Sequence, residues 1–410
     1  MSFSKGQKRK IFFIDQTSEQ DHHMVFNASM IKMLQNIYNE SIDYFGIESN
    51  KISVFELLSA KQIKKIVFHE LIYTEPVKNT TVFKLINYLK KEKKRYLSFN
   101  NILKNSNTND IIFLSITTFT SFLLFKFLKL KYSCKVVAFL HGDIDFLYNS
   151  NSVFEKLNKL AHQLIFKIQA DNFHYCVLNK IARKLLIKDG YLNAEELMHI
   201  NHPVEVVNKD FENQRSKNKL YVGHIGSLEF KRKHSHLFYK LASHFDKQIK
   251  LNTISFNAIG LSTPSMIPYK NECVDDLVGN ESPAQPKYLD RTTFENELLK
   301  LHFAIFFYPT NEYVFRASGA VTDAIALGIP IIALKHPYFN YLFSQGDDIG
   351  YLCDTYEDVL ILIDTLIKTN VLQSDKYKQQ VSNIIKLHSI FTLDYVGADL
   401  KQQFLDRKLI

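Results

Sequence analysis

The sequence predicts two doubly wound α/β domains in tandem, facing a central cleft and followed by C-terminal helices. Three observations carry that expectation. Short β-branched or aromatic runs alternate with longer stretches of helical periodicity along most of the 410 residues. The alternation breaks once, in a polar stretch at 201–220, and then restarts. Several strand candidates are apolar without interruption, as strands buried on both faces of a parallel sheet are.

In order, the first half offers strands at 10–15 (KIFFID), 65–71, 110–117, 134–142 and 173–179, with helical stretches such as 27–40 and 120–132 between them. The polar stretch contains Pro203 and reads as the linker, giving domains at 1–205 and 206–375. The second half offers strands at 220–227, 250–260, 303–309, 330–334 and 349–354, and a helix at 292–302. Residues 261–286 read as irregular surface loop, and 376–410 as helices packing back toward the first domain.

Composition is ordinary for a globular protein, 46% hydrophobic and 23% charged. The apolar run near the N-terminus stops at Asp15, too short for a signal-peptide core. No run approaches the roughly 18–20 apolar residues that span a bilayer. The four cysteines, 134, 176, 273 and 353, lie far apart without a CxxC pair, so reduced thiols and a cytoplasmic location are expected. The net charge is +9, and 81–140 holds eleven Lys/Arg against Glu92 and Asp110, a local excess of 11 − 2 = +9. Such a patch suits phosphate, nucleic acid or an acidic lipid surface, or is a solvated lysine face. KKEKKR (90–95) is the candidate for membrane contact, whereas the apolar run at 120–135 reads as a core helix.

Ligands of doubly wound sheets bind at the carboxyl ends of strands, and four such ends carry chemistry. After 303–309 comes RASGAV, where Ser318 can cap a helix, Gly319 lets a ligand approach, and Arg316 can add a bidentate phosphate contact. Asp323, about a turn further, can accept hydrogen bonds from two vicinal hydroxyls such as those of a ribose; a capped helix with an early charge would look the same. After 220–227 come Gly226, Ser227 and the basic run Lys231, Arg232, Lys233. His234 and His236 read as surface histidines rather than metal ligands. After 134–140 come His141 and Asp143, a hydrogen-bonding imidazole with a base or helix cap. The loop at 13–27 carries Asp15, Gln16, His22 and His23 and no glycine.

Asp323 to Pro330, DAIALGIP, resembles the donor-binding element of GT-B glycosyltransferases of the group 1, or family 4-like, set. There a Glu, seven residues, and Glu-Ala-x-Ala-x-Gly-x-Pro-Val form the pattern. The resemblance implies two Rossmann-like domains, acceptor side first and nucleotide-sugar side second. It implies transfer of a sugar from a nucleoside diphosphate to a hydroxyl of a glycan or lipid-linked glycan, as in surface polysaccharide synthesis. By the same resemblance Asp323 binds the ribose; Gly226, Ser227, Lys231, Arg316, Ser318 and Gly319 hold the diphosphate; His141 and Asp143 serve catalysis; and Asp15, Gln16, His22 and His23 lie on the acceptor side. The first Glu of the pattern falls at Phe315, leaving Glu312 as the donor-sugar candidate. No metal or other cofactor is implied. The expected partners are a nucleotide sugar, a glycan or lipid-linked acceptor and an anionic membrane surface, which would place the protein at the inner face of the membrane. A nucleotide-sugar epimerase of the same fold, a transferase without turnover and a basic nucleic-acid-binding protein are the rival readings; no aromatic-basic RNA motif supports the last.

Overall fold

The structure, a computed structural model, describes residues 9–72, 81–150, 152–205, 215–282, 285–286 and 289–410. Unbroken apolar runs set its two sheets. In the first, the wholly buried strand β1 (Ile11–Asp15) lies beside β2 (Ile42–Gly46) and then β3 (Ile66–Glu70) on one side. On its other side come β4 (Ile111–Ile116), β5 (Lys135–Leu140), β6 (Phe173–Val177) and β7 (Leu197–His199). The order is β3-β2-β1-β4-β5-β6-β7 and every pairing is parallel. β2 was not expected from the sequence. Its residues alternate buried and half-buried, so IDYFG lacks the continuous apolar run that marked its neighbours.

Helices connect these strands: α1 (Met24–Tyr38), α2 (Glu48–Glu56), α3 (Ala60–Ile63), α4 (Thr81–Lys104), α5 (Phe119–Lys129), α6 (Val153–Lys167) and α7 (Lys180–Lys188). Right-handed crossovers reverse their face where the strand order reverses. Accordingly α1 packs on α2, while α4, α5 and α6 pack side by side on the opposite face. The starts of α5 and α6 are fixed locally: Thr118 Oγ1 accepts from the Ser121 N–H, and Ser152 and Glu155 close a capping box.

The second sheet contains β8 (Leu220–Leu228), β9 (Ile254–Ser262) and β10 (Val274–Val278). A small hairpin, β11 (Asn280–Ser282) with β12 (Gln285–Pro286), follows. β13 (Phe303–Phe306), β14 (Ile331–Leu334) and β15 (Gly350–Cys353) complete an all-parallel sheet of order β10-β9-β8-β13-β14-β15. β10 corrects the expectation of loop over 261–286: VDDLV occupies the edge, and its two carboxylates hid it. The helices here are α8 (Phe230–Lys233), α9 (His236–His244), α10 (Asp246–Lys250), α11 (Arg291–Leu299), α12 (Gly319–Ala326), α13 (Pro337–Gln345), α14 (Tyr356–Lys368) and α15 (Asp375–His388), before the final α16 (Leu393–Asp406).

Two compact units result, Met1–Pro203 with Leu393–Ile410, and Val204–Thr392. The C-terminal helical stretch is therefore divided: α15 belongs to the second unit, whereas α16 packs on α1 in the first. Most of the expected linker, residues 206–214, lies outside the described residues. Among the described residues no helix is long and apolar enough to cross a membrane.

The basic stretch 81–140 is less of a surface than its composition suggested. Lys126 and Lys129 are buried; Lys126 donates to the Tyr175 hydroxyl at 2.8 Å and lies 3.6 Å from the Phe173 ring centre. Lys129 donates to the carbonyls of Tyr132 and Asp171. Arg95 is paired with buried Glu92.

Backbone contact fixes the carboxyl end of the second sheet. Gly260 (φ 137°) pairs with Gly226, and a Cβ on it would stand 2.3 Å from the Gly226 carbonyl oxygen. Gly260→Ala should therefore cost several kcal/mol, roughly 3 or more, read as a drop in the thermal midpoint. Burial also lowers the pKa of His174, His199, His224 and His302 to about 4 each. Unfolded histidines titrate near 6.5, so the stability held by these neutral rings is complete above about pH 6.5 and lost as the pH falls toward 4. Denaturant midpoints measured from pH 7.5 to 4.5 should fall progressively.

Candidate functional site

Both sheets reverse direction once, between β1 and β4 and between β8 and β13, and a doubly wound sheet offers its ligand crevice at that point. In the second unit the strand ends there bring together the end of β8, the single turn of α8, the end of β13 and the start of α12. Gly226 is the meeting point. It has φ 88°, and a Cβ on it would lie 2.9 Å from the Ala320 Cβ and 3.2 Å from Lys233 Nζ. A side chain at 226 would thus displace both the first turn of α12 and the lysine.

Lys233 is 5% exposed. Burial lowers its pKa to about 8, against the opposing charges of Glu229 and Asp323 and with the nearby charge of Arg316. Its ammonium lies about 6 Å from the rings of Tyr308 and Tyr313, 5.9 and 6.0 Å to their centres. Lys231 and Arg232, in the same basic run, are exposed. The geometry therefore brings Lys233, and not Lys231, to the strand end. α8 is a single turn closed by His234 in the left-handed conformation (φ 48°), and that turn directs Lys233, the last residue of the run, inward. Nothing in a run of Lys-Arg-Lys says which member will face the core.

The start of α12 is built as expected. Ser318 caps it, accepting from the Val321 N–H, and shares a 2.8 Å hydrogen bond with buried Tyr308. Gly319 is exposed, and a Cβ on it would meet nothing within 4 Å, so the helix start opens onto free space. Its first N–H groups lack intrahelical partners, as at any helix start. The Arg316 guanidinium lies 5.5 Å from the Tyr313 ring centre. Tyr313 holds the uncommon φ of 54° and stacks on Tyr308 with centroids 4.2 Å apart.

Asp323 does not stand alone. Arg291, at the start of α11, donates from Nη2 to its Oδ1 at 2.9 Å and from Nε to Glu295 at 2.7 Å. Sequence reasoning passed over Arg291, which lies 32 residues away from Asp323 in the chain. It also passed over Glu229, which accepts a 2.9 Å hydrogen bond from the Ser227 hydroxyl and faces Lys233 electrostatically. Phe315, where the resembling family carries a sugar-binding Glu, is 2% exposed. Glu312 is half-buried, and its carbonyl accepts from His336 Nε2.

In the first unit the corresponding strand ends assemble aromatic rings. His141 follows β5; His23 lies 4.8 Å from it and Phe26 4.9 Å, centroid to centroid. His22 lies 4.1 Å from His23, and His202 lies 5.6 Å from Phe26. Burial, with the repulsion of His202, lowers the His141 pKa to about 3, against a hydrogen bond to the Ser115 backbone. His23 is likewise pushed well down, by burial and then by His141, His22 and His202. These rings are neutral near pH 7. His141 Nε2 is shut off from solvent without a hydrogen-bond partner among the described residues, beside a cavity of about 20 Å³ lined in part by Ser115, Thr117 and His162. Asp143 stands in the 3₁₀ turn Gly142–Leu147, and its side chain lies outside the described residues.

Two of the acceptor-side candidates are occupied internally. Asp15 is buried and accepts from the N–H groups of Thr17 and Ser18 and from Asn27 Nδ2, which shapes the glycine-free loop after β1. Gln16 is also buried, its Oε1 accepting from Thr117. His22 is exposed and His23 half-buried.

No family model matches the chain. No curated protein matches it by sequence. Solved structures do match in fold. Sucrose-phosphate synthase from Thermosynechococcus elongatus superposes with a TM-score of 0.67 at 12% identity, over 98% of this chain and 99% of that one. The lipopolysaccharide outer core galactosyltransferase WaaB gives 0.58 at 12%, over 97% and 99%. TarM gives 0.55 at 18%, over 77% of this chain, which spans only 58% of TarM. The chain has the GT-B fold of these glycosyltransferases: two Rossmann-like parallel sheets with interleaved helices and a helical C-terminus.

Because Phe315 is core, Phe315→Ala should lower stability by about 3–5 kcal/mol, read in denaturant unfolding. Unchanged stability would mean that the position is not packed.

Proposed function

We propose that the protein is a glycosyltransferase that moves a sugar from a nucleoside diphosphate to a hydroxyl of a glycan or lipid-linked glycan. One observation carries this reading: the buried Lys233 ammonium lies against Gly226 and the start of α12, with Asp323 about a turn further along that helix. A helix N-terminus and an ammonium together favour a diphosphate, and a carboxylate held by Arg291 favours adjacent hydroxyls. Ser318, Gly319 and Arg316 complete the diphosphate cradle, with Lys233 in the part that the resemblance had given to Lys231. Ser227, engaged with Glu229, orients that carboxylate.

In this reading the bond between the anomeric carbon and the diphosphate oxygen breaks. The acceptor oxygen forms the new glycosidic bond, and its proton passes to the departing diphosphate or to water. Charge grows on the departing diphosphate, where Lys233 and the dipole of α12 stabilise it without a metal ion. His141, neutral near pH 7, suits a hydrogen bond to a sugar hydroxyl better than proton abstraction. Glu312 and Glu229 are the carboxylates available toward the donor sugar in place of Phe315. Surface polysaccharide synthesis, a cytoplasmic location and contact of the basic 81–140 segment with the inner membrane face belong to the same proposal.

Calorimetric titration with nucleoside diphosphates tests the donor site. Lys233→Ala should weaken binding by roughly 10- to 100-fold and Lys231→Ala by less than about twofold; Asp323→Ala should weaken nucleoside diphosphate more than pyrophosphate. Affinity should hold below about pH 8 and decline above it, as the free protein loses the Lys233 proton. Equal effects at 231 and 233 would contradict the assignment. Donor incubated without acceptor should be recovered unchanged; its epimerisation would instead identify an epimerase.

A further inference from the structure

We propose that the outer face of α5 and α6 docks on an anionic lipid bilayer, inserting an apolar stripe between lysines. The donor-site reading gives this docking its purpose, but the inference stands on different residues.

α6 is apolar on two sides. Ala161, Ile165 and Phe166 are buried, as a connecting helix requires. The outer side carries Val153, Phe154, Leu157, Leu160 and Leu164 at 76, 57, 53, 61 and 43% exposure. At 100° per residue, four of these five fall within one narrow stripe with Phe154 beside it, so this is a continuous ridge rather than scattered exposure. Phe119 of α5 meets Phe154 at 5.4 Å, and Phe127 and Leu130 extend the apolar surface across α5 at 46 and 53% exposure. A contiguous surface of this kind is uncommon on a protein without a partner for it.

Charge identifies the partner. The helices of this face, α4, α5 and α6, hold twelve Lys/Arg against two carboxylates, Glu92 and Glu155. Both carboxylates are engaged: Glu92 accepts from Arg95 and from the Ser121 hydroxyl, and Glu155 closes the capping box on Ser152. Lys126 and Lys129 are buried, so the exposed cations beside the stripe are Lys156 and Lys167, with Lys131 following α5. A protein partner would be met by charges of both signs. A single-sign lysine border around an apolar ridge is instead the pattern of a helix lying in the headgroup layer of anionic lipid. The contact is therefore centred on α6, just beyond the 81–140 segment that composition had singled out, with α5 of that segment at its edge.

The test is sedimentation of the full chain with vesicles of phosphatidylcholine, alone or with about one third phosphatidylglycerol. Binding to the anionic vesicles and little to the neutral ones is expected. Leu157→Glu with Leu160→Glu, and separately Lys156→Glu with Lys167→Glu, should each weaken binding by at least about tenfold. Thermal midpoint and nucleoside diphosphate affinity should stay unchanged, because these side chains are solvent-facing. No sedimentation with anionic vesicles, or sedimentation indifferent to both pairs, would overturn the proposal. So would self-association without lipid binding that the same substitutions abolish, since the face would then join two copies. A chain that binds vesicles but no nucleotide would refute the donor reading and leave the docking face standing.

Discussion

The missing side chain at Gly226 is the constraint on which the carboxyl end of the second sheet depends. Three things converge there: the β8 backbone, the first turn of α12 and the Lys233 ammonium. A Cβ would push the helix start and the cation apart. Gly260 extends the same requirement to the neighbouring strand, because its own Cβ would strike the Gly226 carbonyl. The two glycines let the polar ends of β8 and β9 approach closely enough to present one surface, while Tyr308, stacked on Tyr313 and bonded to Ser318, forms its floor. Burying an ammonium is unfavourable unless something negative answers it. Glu229 and Asp323 answer partly, and a diphosphate would do so far more strongly.

The first unit uses different physics at its equivalent strand ends. Its polar groups are closed in on themselves: Asp15 ties the loop after β1 to α1 through Asn27, and the Ser115 hydroxyl donates to Asn27 in turn. What it presents are imidazoles: His23 and His141 pack edge to face, both made less basic by burial and by their neighbours' repulsion, with His22 against His23 and His202 against Phe26. Such a surface offers hydrogen bonds to hydroxyl groups without offering charge. The strand ends of the second unit, by contrast, gather charged groups: Lys233, Glu229, Arg291 and Asp323.

Much of the fold was legible because strands buried on both faces must be continuously apolar. β1, β4, β5 and β13 announced themselves in this way. β2 and β10 did not, since one alternates and the other is an edge strand carrying two aspartates. At the start of α12, Ser318 as a cap followed from local chemistry, and the helix–strand spacing placed Asp323 on that helix. Lys233, Arg291 and Glu229 did not follow. Whether a lysine faces inward depends on one left-handed residue after a single helical turn, and the partner of Asp323 comes from a helix remote in sequence. Those are tertiary facts with no local signature. The same holds for the ridge on α6, whose amphipathic pattern is satisfied by its inner face alone.

The most direct measurement is a crystal structure of the protein with a bound nucleoside diphosphate. The diphosphate should lie at the start of α12, within about 3 Å of Lys233 Nζ and of the Gly319 and Ala320 N–H groups, with the ribose hydroxyls on Asp323. A nucleotide bound elsewhere, or bound there with Lys233 making no contact to either phosphate, would contradict the donor-site proposal.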